Sequence, residues 1–156
     1  MHLSIAAPGP LSHAGAIAYA LDLQARIARI LPYTRRTGRQ ARRHKGGLDA
    51  TARSRESASL ISLVPAGAVA VALDVSGRRM DSDAFRDWLV GQAEKGTREL
   101  CFLIGGPDGL DPIALAACRE AISLSPMVLP HDLAEVVLLE QLYRALTRWK
   151  NLPYHR

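Results

Sequence analysis

The chain predicts an α/β fold built on a mostly parallel sheet. Three observations carry that class. Short apolar runs alternate with longer stretches of helical periodicity along the chain. The clearest runs, Ala68-Val69-Ala70-Val71-Ala72-Leu73 and Cys101-Phe102-Leu103-Ile104, are apolar without alternation, as strands covered on both faces are. Loops rich in glycine, proline or aspartate follow such runs, where open α/β sheets bind their ligands.

Each element has its own justification. Residues 2–7 form a short apolar strand closed by Pro8-Gly9-Pro10. Residues 12–31 are Ala-rich and carry Ile17, Leu21, Leu23, Ile27, Ile30 and Leu31, which predicts a helix ending at Pro32. Residues 33–46 are polar and basic. The pattern calls for a second strand near there, but Arg39-Gln40-Ala41-Arg42-Arg43 makes a poor one. Residues 48–63 read as a helix stopped by Pro65 and Gly67, and residues 68–73 as a buried strand. Residues 81–94 form an amphipathic helix with Phe85, Trp88 and Leu89 on its core side, and residues 99–104 the next strand. Asp111-Pro112 supplies an N-cap and a first-turn proline for the following helix. Residues 124–129 are the last strand expected. Asp132 with Glu135 three positions on predicts a capping box for a helix running to Lys150. No repeat or linker interrupts residues 1–156, which read as one domain.

Composition narrows the function. No apolar run approaches the ~18 residues of a membrane span, and the N-terminus lacks the basic flank of a signal peptide, so a cytoplasmic protein is expected. Cys101 and Cys118 lie among apolar residues with no metal or redox spacing and read as buried free thiols; no metal site is expected. The net charge of +5 conceals an asymmetry: residues 26–55 hold ten Arg or Lys against Asp49 alone, a local +9, while residues 1–25 carry −1 and residues 56–156 carry −3. A concentrated basic segment beside a near-neutral body points to a polyanion such as RNA, with a solvated arginine-rich loop as the bland alternative. Arg36, Arg39, Arg42 and Arg43 are its candidate RNA contacts.

The loop Gly105-Gly106-Pro107-Asp108-Gly109 follows a strand and precedes a helix. It is not a P-loop, because no Gly-Lys-Ser/Thr follows, and it lacks the Gly-x-Gly-x-x-Gly of dinucleotide sites. Taken alone it is equally well a tight turn. Leu73-Asp74-Val75-Ser76-Gly77 and Leu129-Pro130-His131 are two further loops of the kind, and three at one sheet edge could share a pocket.

Leu103-Ile104-Gly105-Gly106-Pro107-Asp108-Gly109, Ser123-Leu124-Ser125, Leu129-Pro130-His131, Glu140-Gln141-Leu142-Tyr143-Arg144-Ala145 and the terminal Pro153-Tyr154-His155-Arg156 resemble, in order, the ribosomal large-subunit methyltransferase H family of the SPOUT superfamily. The likeness is dense over residues 66–156, looser over 1–30, and absent from 33–56. It implies a sheet whose C-terminal segment is tucked into a deep trefoil knot, and a homodimer with the last helix in its interface. It implies methyl transfer from S-adenosylmethionine to N3 of a pseudouridine, in a hairpin loop of 23S rRNA on the assembled ribosome. Carried over by motif, the cofactor contacts are Leu73, Gly105, Gly106 and the loop Pro126-Met127-Val128-Leu129-Pro130-His131. Pro126-Met127-Val128 stands where small or threonine-containing residues are usual, and Leu152 where a histidine is usual.

The implied reaction needs an aligned acceptor nitrogen and a group to take its proton. His131, Tyr154 and His155 can accept or relay that proton; Arg144 and Arg156 can hold phosphate or the uracil-like oxygens. Tyr154 can also stack on an exposed base. The bland readings are a His131 that only caps its helix, an Arg144 that is a surface charge, and a frayed tail. Tyr143, at helical spacing from Leu139 and Leu146, reads as packing. Two competing functions remain: a non-catalytic ribosome- or RNA-binding relative, which cofactor binding would exclude, and another small-ligand α/β enzyme, which RNA dependence would exclude.

Overall fold

A computed structural model describes residues 1–40 and 50–153. The elements run β1 (His2–Pro8), α1 (Ala14–Ala28), β2 (Tyr33–Gly38), α2 (Ala50–Ile61), β3 (Val69–Arg79), α3 (Ser82–Glu94), β4 (Glu99–Ile104), α4 (Pro112–Ala117), β5 (Glu120–Ser123) and α5 (His131–Trp149). All pairings are parallel, in the order β2-β1-β4-β3-β5. The expected α/β class is therefore found, as a five-stranded parallel sheet.

The sheet is covered on both faces because its strands are apolar on both. Leu3, Ile5, Ala7, Val71, Leu100, Phe102 and Ile104 pack with α1, α3 and α5, and Ala6, Ala72, Cys101 and Leu103 with α2 and α4. The central strand β4 carries no exposed residue, which is why its run shows no alternation. Phe85 stacks at 5.6 Å on Trp88, which meets Phe102 edge-on at 6.1 Å. Both aromatics belong to the core as expected. Cys101 and Cys118 are free, the first buried and the second partly so; burial pushes the Cys118 thiol up to about 11.

The second strand that the pattern calls for lies at residues 33–38, although its sequence is polar. Alternation sends Arg35 and Arg36 to opposite faces, where each finds a carboxylate: Arg35 binds Glu135 of α5 through Nε and Nη2 at 2.7 and 3.0 Å, and Arg36 binds Glu99 at 2.9 Å. The last strand is Glu120–Ser123, not residues 124–129, because only the earlier segment registers against β3. The capping box at α5 does not form. The helix starts two residues earlier, after Pro130, which makes no side-chain cap. Asp132 Oδ2 instead accepts hydrogen bonds from Ser12 N, Ser12 Oγ and His13 N at 2.8–2.9 Å. α5 lies between α1 and α3, and Val136, Leu138, Leu139, Leu142 and Leu146 are buried within the chain, leaving Leu133 largely exposed.

Candidate functional site

Strands β4, β3 and β5 are neighbours, so the loops that leave their C-terminal ends lie side by side. The β4 loop is tight: Gly109 N donates to Gly106 O at 2.7 Å, with Gly109 at φ +72°. A Cβ on Gly105 would lie 2.6 Å from Gly109 C and Leu110 N, so the loop's own backbone demands that glycine. A Cβ on Gly106 would collide with the buried carboxylate of Glu56. Helix α2 holds the end of this loop from below. Arg53 Nη2 donates to Leu110 O, Ser57 Oγ accepts from Asp111 N at 2.9 Å, and Ser54 Oγ donates to Asp111 Oδ2 at 2.8 Å. Asp111 Oδ1 caps α4 through Ala114 N at 2.7 Å, as its sequence predicts. The sequence did not reveal that Glu56 and the α2 serines hold the loop. Their spacing is an ordinary polar helix face.

The second loop is an excursion inside β3. Leu73 and Arg78 both register on Ile122, so residues 74–77 leave the ladder and return to it. Asp74 Oδ1 accepts from Ser76 N and Oγ at 2.9 and 2.6 Å, and Gly77 lies where a Cβ would strike the β5 backbone. The third loop follows β5: Ser123 Oγ donates to Ser125 O, and Ser125 Oγ accepts from Met127 N at 2.9 Å. Its tip, Met127 and Val128, is 73% and 81% exposed.

Leu73, Met127 and Leu129 line one pocket of about 80 Å³, together with Asp74, Ser123, Leu124 and Ser125. Gly105, Gly106, Pro126, Val128, Pro130 and His131 do not line it. A neighbouring cavity of about 270 Å³ shares Ser123 and Leu124 with it and extends to Ser82 and Gln141. Two larger grooves, one between α3 and the end of α5 and one at the opposite edge of the sheet, do not touch the three loops.

His131 Nε2 lies 2.8 Å from Asp132 Oδ1, off the line of a hydrogen bond, and that buried oxygen has no hydrogen-bond partner among the described residues. Burial pushes the Asp132 carboxyl up, but the bonds from His13 and Ser12 and the nearby His131 outweigh it and hold it below its ordinary value. Arg144 pairs with Glu140 at 2.9 Å, and Glu140 also accepts from Tyr19 of α1. Thirteen residues of helix place Arg144 roughly 20 Å from His131, so within one chain it is not brought to the loops. Tyr143 packs against the core beneath Arg26, its ring centre 5.7 Å from the guanidinium carbon. Arg36 is half-buried in its ion pair, whereas Arg39 is exposed. Arg42, Arg43, Tyr154, His155 and Arg156 lie outside the described residues. No group of three metal-ligating side chains occurs, and no helix is long and apolar enough to cross a membrane, among the described residues.

A family model described as a predicted SPOUT methyltransferase matches residues 1–155. The chain belongs to the SPOUT methyltransferase family. Among its relatives are proteins named ribosomal RNA large subunit methyltransferase H. The one from Dinoroseobacter shibae is 46% identical over 112 residues, covering 72% of this chain and 69% of its own length. The Desulfotalea psychrophila protein is 41% identical over 112 residues, 72% of each. One from Stenotrophomonas maltophilia is 38% identical over 135 residues, 86% of each.

Proposed function

We propose that the protein transfers a methyl group from S-adenosylmethionine to N3 of a pseudouridine in a hairpin loop of 23S rRNA, on the assembled ribosome. One observation carries the reading. The family match spans residues 1–155 and falls on a parallel sheet whose three adjacent strand ends bear the loops singled out by the motifs. Relatives named for large-subunit ribosomal RNA supply the substrate class.

The side chains present suit the cofactor. Leu73, Leu124 and Leu129 offer an apolar wall for an adenine, and Ser123, Ser125 and Asp74 offer hydroxyls and a carboxylate for polar atoms. The space of about 80 Å³ shares Ser123 and Leu124 with the neighbouring cavity of about 270 Å³, and together they reach the ~300 Å³ at which small-molecule sites begin. Pro126 has no amide to donate, and the Met127 amide is already engaged by Ser125. The backbone contribution of this loop therefore falls to Val128 and Leu129.

Bound S-adenosylmethionine supplies an electrophilic methyl group on a sulfonium. The chain's own residues do the rest. His131, at the start of α5 beside the third loop, accepts or relays the N3 proton, and Asp132 ties that end of the helix to the β1–α1 loop. Tyr154, His155 and Arg156 supply stacking, proton relay and a cation for the substrate. Arg144, remote from His131 along α5, serves the same reaction across an interface between two copies; α1 and α5 leave Tyr19, Leu21 and Leu133 exposed for such a contact. In this reading the segment after β5 is threaded as a trefoil knot, and residues 1–156 form one domain in the cytoplasm.

Mass analysis of rRNA from a strain lacking the gene tests the proposal. The hairpin should lack one methyl group and regain it on complementation. An unchanged hairpin would overturn the reading.

A further inference from the structure

The edge of the sheet opposite the three loops holds a groove of about 720 Å³. It is built from the N-terminal ends of four adjacent strands: His2 at the start of β1, Arg98 and Glu99 at β4, residues 66–68 before β3, and Arg119 before β5. Backbone bonds fix these ends. His2 N donates to Arg98 O at 2.8 Å, and Arg119 N donates to Ala70 O at 2.9 Å. Arg98 and Arg119 are thus separated by two strand spacings, about 10 Å. Lys95, in the turn after α3, lines the same groove.

Charge marks this groove. Half of the described arginines have a carboxylate: Arg26 with Asp22, Arg35 with Glu135, Arg36 with Glu99, Arg78 with Glu120, Arg86 with Asp83 and Asp87, Arg144 with Glu140 and Arg148 with Asp83. Lys95, Arg98 and Arg119 are exposed and make no ion pair among the described residues. The acid of the groove, Glu99, is already taken by Ser4 Oγ at 2.6 Å and Arg36 at 2.9 Å, with His2 Nδ1 at 3.5 Å. Three cations therefore face solvent together, and the one acid that lines the groove with them is neutralised. Between Arg98 and Arg119 the floor is Ala66-Gly67-Ala68, and at Gly67 nothing lies within 4 Å of where a Cβ would point. Cations on the walls and almost no side chain on the floor suit a ribbon of phosphates.

We propose that this groove is a second RNA-backbone contact, roughly 20 Å from the methyl-transfer edge by the length of β4. It rests on the reading of ribosomal RNA as substrate. It acts through phosphates, without reading bases, and orients the protein so that the opposite edge faces the target hairpin.

The test uses the full chain with every groove cation neutralised, Lys95→Gln/Arg98→Gln/Arg119→Gln, and unmethylated 70S ribosomes as the probe. All three residues are exposed, and retained S-adenosylmethionine affinity by calorimetry reports that the fold is kept. Ribosome binding, measured by filtration over a salt series, should weaken about 10–100-fold, with the slope of log K against log[salt] shallower by about 2. KM for ribosomes should rise while kcat at saturation stays unchanged. Arg98→Lys/Arg119→Lys should retain wild-type binding, since charge is what acts. An unchanged affinity and slope would overturn the proposal. So would a variant that loses affinity for ribosomes but binds protein-free 23S rRNA as tightly as wild type, because the partner would then be a ribosomal protein. Failure of the wild-type protein to methylate would overturn the substrate reading instead, and filtration is independent of it.

Discussion

Gly105 and Gly106 stand next to each other but are glycines for different reasons. At Gly105 an added methyl meets backbone, which cannot yield; at Gly106 it meets the end of Glu56, which can turn if its own contacts are given up. Gly105→Ala should therefore lower the unfolding midpoint and abolish cofactor binding. Gly106→Ala should be milder, and Glu56→Ala in the same chain should relieve part of its effect. Thermal melts with cofactor titration check this, and equal damage from the two single changes would refute it. Asp132 makes a second residue-scale prediction. Asp132→Ala leaves the Ser12 and His13 amides without their acceptor and should cost about 2 kcal/mol at pH 7 by urea denaturation. Its carboxyl is held below the ordinary value, so its contribution is present above the unfolded carboxylate range near pH ~4 and is lost as pH falls through the folded value. The gap between wild type and variant should close in acid.

Elements that signal through their own residues were legible in advance. Strand β4 was read at its true bounds, because six consecutive apolar or half-buried residues between a glycine turn and a glycine loop admit little else. The Asp111 cap was legible because an N-cap is a local bond. Features decided by a distant partner were less legible. Strand β2 exists because Glu99 and Glu135 receive its arginines from 63 and 100 residues away. Asp132 and Glu135 carry the spacing of a capping box, yet both are drawn to the N-terminal third of the chain. Of the candidate site, the three loops were found, but Glu56, Ser54, Ser57 and Ser12, which hold them, carry no local signature. The same distinction sorts the basic segment. Arg36→Gln should destabilise the fold by breaking a half-buried pair, whereas neutralising Arg39, Arg42 and Arg43 should leave stability intact and flatten the salt dependence of ribosome binding. Removing Tyr154, His155 and Arg156 should cut methylation by at least ~100-fold and leave cofactor affinity within a few-fold. Full activity in the truncated protein would remove the tail from the reaction.

For the molecule as a whole, light scattering at micromolar concentration should give the mass of a homodimer, with a monomer mass the refuting result. Unfolding should be a single transition, since α5 packs on α1 and α3 and is also hydrogen-bonded to the β1–α1 loop and to β2. The strand order has a consequence for how the chain is made. β1 sits between β2 and β4, and its pairing with β4 joins His2 to Glu99. β2 is complete at Gly38 and β4 only at Ile104, 66 residues later. At roughly 5–20 residues per second, a nascent chain carries β1 with one edge unpaired for about 3–13 s. Throughout that interval the edge strand Leu3-Ser4-Ile5-Ala6-Ala7 is a template for any other extended segment nearby. Translation rate and chaperone supply, more than final stability, should therefore set the yield of this protein on overexpression.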